Sequence, residues 1–272
     1  MNISKTVVGD ALAGTREVVT ETKCIFGLDI IRRPDPNNET VNNALQSNSK
    51  VRVFKHRRLG RIGRLLFWGF EPLQKDDVKG VGIILYPGTL VDVRAYAPIA
   101  HQMAENGYHA AIVTPPLSLS FADVDLANDV IKFKGWENKL DINAWAVSGH
   151  SQGGAFACKF ANDNRGTTVK AVVLLAAYGA ESFNLSDSDF KVVSIYGSVD
   201  GIALYEDVVV EGAKLLPPTT KFVKIEGGNH TQFSYVEKLQ ESGEKVDGVA
   251  SMTVEEQQEI ICQNLLSLLS EL

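Results

Sequence analysis

The 272-residue chain carries 27 Lys and Arg against 33 Asp and Glu, a formal net charge of −6, with 44% hydrophobic and 22% charged residues. That composition is ordinary for a soluble globular chain long enough to bury a sizeable core. The negative balance argues against nucleic acid or an anionic membrane as partner, because both would repel the protein as a whole. Cys24, Cys158 and Cys262 are odd in number, widely spaced and form no C-x-x-C, which suits a reducing compartment and offers no zinc site. Met1 to Thr22 has no apolar run of signal-peptide type, and no stretch is long enough to span a bilayer. The expected location is cytoplasmic.

In chain order, residues 1–33 hold scattered apolar positions that predict a helix and a short extended piece packed on the body. Pro34 to Lys50 is polar and Asn-rich with two prolines, and reads as a linker or long loop. Residues 1–50 are therefore expected to be an N-terminal extension, and 51–272 the main domain. Val51–Lys55 and Leu65–Phe70 predict two strands joined by a Gly-bearing turn. The basic run Lys55, His56, Arg57, Arg58, Arg61 and Arg64 lies in this hairpin and reads as a solvated face.

Strands and helices then alternate. Val81–Tyr86 is a continuous apolar run ending at Pro87-Gly88, as expected of a strand covered on both faces. A helix over Asp92–Gly107, a strand over His109–Thr114 and a helix over Asp123–Lys134 follow. After them come a strand over Ala144–Val147, a helix over Ala155–Asn162, and strands over Val169–Ala177, Val192–Tyr196 and Lys221–Ile225. Thr253 and Glu256 form a capping-box pair before the last helix. This alternation implies one mostly parallel sheet with helices on both faces, whose ligands sit at the carboxyl ends of the strands.

Gly149-His150-Ser151-Gln152-Gly153 joins a strand to a helix. In a G-x-S-x-G turn the glycines leave room for neighbouring backbone while the serine oxygen is lifted above the sheet, close to a helix N-terminus. Serine needs a base, and the base needs a group to orient it. Of the five histidines only His230, in Glu226-Gly227-Gly228-Asn229-His230, follows Ser151. Between them Asp200 sits in a Gly-flanked loop at a strand end. Glu226 would have to fold back, and Asp187 falls at the wrong end of the sheet. Ser151, Asp200 and His230 are thus the expected catalytic residues, with His150 a packed structural histidine.

Two backbone N–H groups should bind a developing oxyanion: that of Gln152, and one from Pro87-Gly88-Thr89-Leu90, with Thr89 favoured over Leu90. Only 11 residues, Ala180 to Phe190, connect the strand after Ser151 to the strand before Asp200, too few for a lid domain. Loops should therefore shape the substrate pocket, with Leu117, Phe121, Ile202 and Phe233 as lining residues. No metal or cofactor is expected.

The segments Leu85-Tyr86-Pro87-Gly88 with Val91-Asp92, Tyr96-Ala97-Pro98, Gly149 to Gly154, and Gly227-Gly228-Asn229-His230 with Gln232-Phe233 resemble the compact α/β-hydrolase family related to dienelactone hydrolases. The likeness runs from about Val81 to the C-terminus. It implies the α/β-hydrolase fold and a serine triad acting on a small-molecule ester or thioester. Dienelactone hydrolases proper use cysteine where this chain has Ser151, which argues against that reaction. The expected activity is hydrolysis of a small to medium carboxylic ester through an acyl-enzyme. A small-ligand receptor on the same fold and an acyltransferase are the alternatives.

Overall fold

A computed structural model describes residues 31–58, 63–74, 76, 78–137, 142–237, 240–243 and 245–272. Its centre is an eight-stranded sheet formed by β1 (Val51–Arg57), β2 (Leu65–Pro72), β3 (Val81–Tyr86), β4 (His109–Val113), β5 (Ala144–His150), β6 (Val169–Leu175), β7 (Lys191–Gly197) and β8 (Lys221–Ile225). The order across the sheet is β1-β2-β4-β3-β5-β6-β7-β8. β2 runs antiparallel to both its neighbours, and all other pairings are parallel.

The central strands are buried along their whole length because both faces are covered. Their two-residue period divides the core into two layers. Ile83, Leu85, Ala146, Val173 and Ile195 face α2 (Ala97–Glu105) and α5 (Val254–Leu269). Ile84, Tyr86, Val147, Val172 and Leu174 face α3 (Leu126–Ile131) and α4 (Gln152–Asp163). Thr253 and Glu256 close the expected capping box on α5, a device that contributes about 1 kcal/mol.

Several local expectations change. Pro34 to Lys50 is not all loop: α1 (Glu39–Ala44) starts at Asn38, whose side chain accepts from the Val41 N–H, and buries Val41 and Ala44. So short a helix gives no periodic signal, and its polar composition hid it. The helix expected from Asp92 begins with a 3₁₀ turn, Val93–Tyr96, and becomes α-helical only at Ala97. Pro98, which lacks an N–H, then falls in the first turn, where none is needed. The helix expected over Asp123–Lys134 shrinks to Leu126–Ile131, and the one expected from Ala155 starts at Gln152, directly after Ser151.

Residues 180–190 hold one 3₁₀ turn, Glu181–Phe183, and no cap. Of the first 30 residues nothing is described, so the helix expected there lies outside the described residues. The extended piece is represented by Arg32, which forms a parallel bridge with Val91. In the basic run, Lys55 lies over the Trp68 ring and Arg64 pairs with Asp123, while Arg61 lies outside the described residues. No helix among the described residues is long and apolar enough to cross a membrane.

Candidate active site

β5 delivers Ser151 at the carboxyl edge of the sheet, and α4 begins at the next residue. Ser151 has φ 54° and ψ −128°, a conformation that costs a non-glycine residue about 1–3 kcal/mol and persists only when its surroundings impose it. Here the Ser151 N–H donates to the Leu175 carbonyl at 3.0 Å, and its carbonyl accepts from Gly154 at 2.9 Å. The motif glycines are required by contact: a Cβ on Gly149 would lie 2.2 Å from the Gly153 backbone, and one on Gly153 would lie 2.4 Å from the Pro87 carbonyl.

β7 ends at Gly197 and carries Asp200 just beyond it. Within this partly exposed loop Asp200 itself is buried. Its Oδ1 accepts the N–H groups of Ile202 (2.8 Å) and Ala203 (2.7 Å), which leaves Oδ2 for the His230 Nδ1 at 2.8 Å. Both rivals face elsewhere. Glu226 pairs with Lys224 and Asp187 with Arg165, both on the exposed surface.

His230 follows β8 and is fully buried, and its Nε2 has no hydrogen-bond partner among the described residues. With Asp200 on Nδ1, Nε2 is the nitrogen left to take up a proton. Its ring lies 4.7 Å from that of His150, the residue preceding Ser151. His150 is itself fully buried, with Nδ1 2.8 Å from the Tyr96 hydroxyl and its ring stacked on Phe233. Burial first, and the neighbouring His230 second, hold its pKa well below the ordinary 6.5. Its Nδ1 is thus engaged by Tyr96, and its ring is packed between His230 and Phe233.

The loop after β3 is tied from two sides. The Tyr96 hydroxyl accepts the Gly88 N–H at 2.9 Å, and the Val91 N–H returns to the Gly88 carbonyl. From outside, the Arg32 N–H donates to the Leu90 carbonyl (2.7 Å) and its guanidinium to the Thr89 carbonyl (3.2 Å), while Asp92 N–H donates to the Arg32 carbonyl. Gly88 N–H and Val91 N–H are thereby occupied. The N–H groups of Thr89 and Leu90 have no acceptor among the described residues, so both remain candidates beside Gln152. Leu90 takes φ 56° in this turn.

The expected lining residues separate. Leu117 and Phe121 are exposed at the carboxyl edge, Phe121 with its ring 6.3 Å from that of Phe156 on α4. Ile202 is half-buried beside Asp200. Phe233 is fully buried behind His150 and reaches no solvent.

Two groups escaped the sequence reading. Gln257 on α5 bonds both backbone groups of Asn229, accepting at 3.0 Å and donating at 2.9 Å, and so fastens the histidine loop to the last helix. A buried glutamine inside an amphipathic helix was the available signal. Asp247 is buried and accepts five hydrogen bonds around Asp200 and His230. Nothing in its sequence context marks it out.

The pattern of the α/β-hydrolase family matches residues 82–259, more than half of the chain, and spans every element that carries this site. This chain belongs to the α/β-hydrolase family. The match is to the family at large and does not single out dienelactone hydrolases. A solved structure described as a predicted CIB-like hydrolase from Thermoplasma acidophilum has the same fold, with a TM-score of 0.54 at 13% identity. That likeness covers 79% of this chain and 98% of the other. No curated protein sequence matches this chain. Within the family's architecture, the described residues form a hydrolase fold without a large cap.

Proposed function

We propose that this α/β-hydrolase cleaves small to medium carboxylic esters or thioesters through an acyl-enzyme on Ser151. The observation that carries the reading is the buried Asp200–His230 hydrogen bond, with the His230 ring 4.7 Å from that of His150, the residue before a serine held at positive φ on a helix N-terminus. In the proposed cycle Ser151 Oγ attacks the ester carbonyl while His230 Nε2 takes its proton. Asp200 keeps Nδ1 protonated and stabilises the imidazolium. The N–H of Gln152, with that of Thr89 or Leu90, receives the charge that develops on the carbonyl oxygen. His230 returns the proton to the leaving alcohol or thiol. Water, activated by the same histidine, then hydrolyses the acyl-enzyme.

Residues 51–272 are proposed as the catalytic unit and 1–50 as an addition, of which Arg32 braces the loop after β3. The short 180–190 connection supports a pocket shaped by loops, with Leu117, Phe121 and Ile202 on its rim. Each buried methylene contributes about 0.8 kcal/mol, so rates should rise with acyl length only until a small pocket is full. A fluorophosphonate probe should label Ser151 in the wild-type protein, and p-nitrophenyl butyrate should turn over with a burst. Binding of the ester without turnover would favour the receptor alternative, and acyl transfer to added alcohols in preference to water the transferase. A marked preference for emulsified long-chain esters would contradict a small, loop-shaped pocket.

A further inference from the structure

The loops bearing Asp200 and His230 leave different strands, and the hydrogen bond between their side chains is only one of the ties between them. The Val199 N–H donates to the Gly228 carbonyl at 3.0 Å and the Gly227 N–H to Ser198 Oγ at 2.8 Å, and a further tie passes through the stretch that follows a small hairpin, β9 (Glu241–Ser242) and β10 (Lys245–Val246). Asp247 Oδ1 accepts from Gly201 N–H at 3.2 Å, His230 N–H at 3.0 Å and its neighbour Gly248 N–H at 2.9 Å. Oδ2 accepts the N–H of Thr231 at 2.7 Å and its hydroxyl at 2.6 Å. All five groups donate, from four residues, so the side chain acts as a pure acceptor, the role of an ionised carboxylate. It is 4% exposed.

We propose that Asp247 is a positioning residue of this site: its carboxylate holds the Asp200 loop and the His230 loop in register, so that the Nδ1–Oδ2 contact stays aligned. The proposal deepens the serine-hydrolase reading and rests on it for its catalytic consequence. Three features single out this group. Its donors are the residue after Asp200 and the amide of His230 itself, so a displaced carboxylate moves both members of the pair. The loops also interlock sterically, since a Cβ on Gly201 would lie 2.1 Å from the Val246 carbonyl. Finally, Thr231 Oγ1 accepts the Gln240 N–H at 2.9 Å, and Asp247 N–H donates to the Gln240 carbonyl. The segment returning from the hairpin is therefore locked to the histidine turn.

Buried carboxylates with several donors are worth more than neutral acceptors, and an amide cannot replace this one. Asn would turn its NH₂ either toward three N–H groups or toward the Thr231 N–H and hydroxyl. The charge matters as well. Around His230 stand Asp200 on Nδ1, the neutral His150 ring from the end of β5, Tyr96 behind that ring, and Arg32 of the N-terminal segment near enough to depress His150. Asp247 adds a second negative charge at the His230 amide, which favours the imidazolium formed during the reaction.

The experiment compares full-length wild type with Asp247→Asn. It reads the downfield Nδ1–H resonance of His230 and its exchange rate by NMR, and kcat and KM on p-nitrophenyl butyrate. In Asp247→Asn the Nδ1–H should exchange faster. The kcat should fall roughly 10- to 100-fold with KM within a few-fold, the scale set by a misplacement of about 1 Å. A folded Asp247→Asn protein with the wild-type resonance and exchange rate would overturn the proposal. Should that variant not fold, Thr231→Val keeps the carboxylate and deletes one donor; faster Nδ1–H exchange is then expected, and unchanged exchange overturns the proposal. The NMR readouts need no substrate. Wild-type protein that resisted fluorophosphonate would sink the serine-hydrolase reading while leaving these signals to decide on Asp247.

Discussion

The two edges of the central sheet treat backbone strain differently. Before the strands, at the amino edge, the turns with positive φ use glycine: Gly80 ahead of β3, Gly107 ahead of β4 and Gly166 ahead of β6. Beyond the strands, at the carboxyl edge, positive φ is taken by Leu90, Leu117, Ser118, Ser151 and Ala176, with Gly227 after β8 the glycine beside them. Every described non-glycine residue with positive φ lies on that edge. A turn whose task is only to reverse the chain can use glycine and avoid the cost. A turn that must present a side chain or aim an N–H keeps the side chain and accepts strain, which surrounding packing then maintains.

The largest expected effects break the carboxyl edge at its chemistry. Ser151→Ala should lower kcat by about 10³-fold or more with little change in unfolding temperature, and His230→Ala should match it. Asp200→Asn should cost somewhat less. An intact kcat in folded Ser151→Ala would remove the nucleophile from the proposed mechanism.

Smaller effects test the asymmetry of strain directly. Gly166 has φ 74°, and a Cβ placed on it would meet nothing within 4 Å, so Gly166→Ala isolates the conformational cost. It should destabilise by about 1–2 kcal/mol and leave kcat unchanged. Leu117→Gly makes the opposite exchange at φ 54°. It should gain up to about 1 kcal/mol in urea denaturation while weakening apolar esters through KM. If both substitutions moved stability in the same direction, the contrast between the edges would not be one of strain.

The smallest effect concerns pH. Because burial lowers the His150 pKa well below 6.5, the folded protein keeps this ring neutral while the unfolded chain takes up a proton. The resulting stability is present above about 6.5 and is lost as pH falls toward the folded-state value. In His150→Asn, stability should decline less steeply between about pH 6.5 and 5, by at most about 1.4 kcal/mol per unit. Equal slopes in urea denaturation would show that His150 can be protonated in place.

Legibility in the sequence followed the same division. β3 to β7 were readable because a strand covered on both faces is apolar along nearly all its length, as Val81–Tyr86 is, and the edge strand β8 (Lys221–Ile225), partly exposed, was readable from its shorter apolar set Phe222, Val223 and Ile225. The strand-to-helix turn at Ser151 was readable because such an elbow needs glycine at fixed offsets. The strand-end positions of Asp200 and His230 were readable from the apolar runs that precede them. Residues whose role comes from where the chain returns left no comparable trace. α1 was hidden by its Asn-rich composition, and Phe233 looked like a lining residue although it packs behind His150. Gln257 and Asp247 reach the site from the last helix and a hairpin, with no periodicity or spacing to announce them.

By itself, then, the amino-acid sequence determined the sheet-and-helix alternation, the elbow and the order of the three polar groups, since these depend on local pattern and neighbouring glycines. Only the tertiary structure decided which oxygen of Asp200 meets His230, that His150 is packed between Tyr96 and Phe233, and that Arg32, Gln257 and Asp247 brace the loops. Those outcomes arise from contacts between segments tens of residues or more apart. Such contacts form only after two apolar layers have closed on the sheet, and no local rule of composition encodes them.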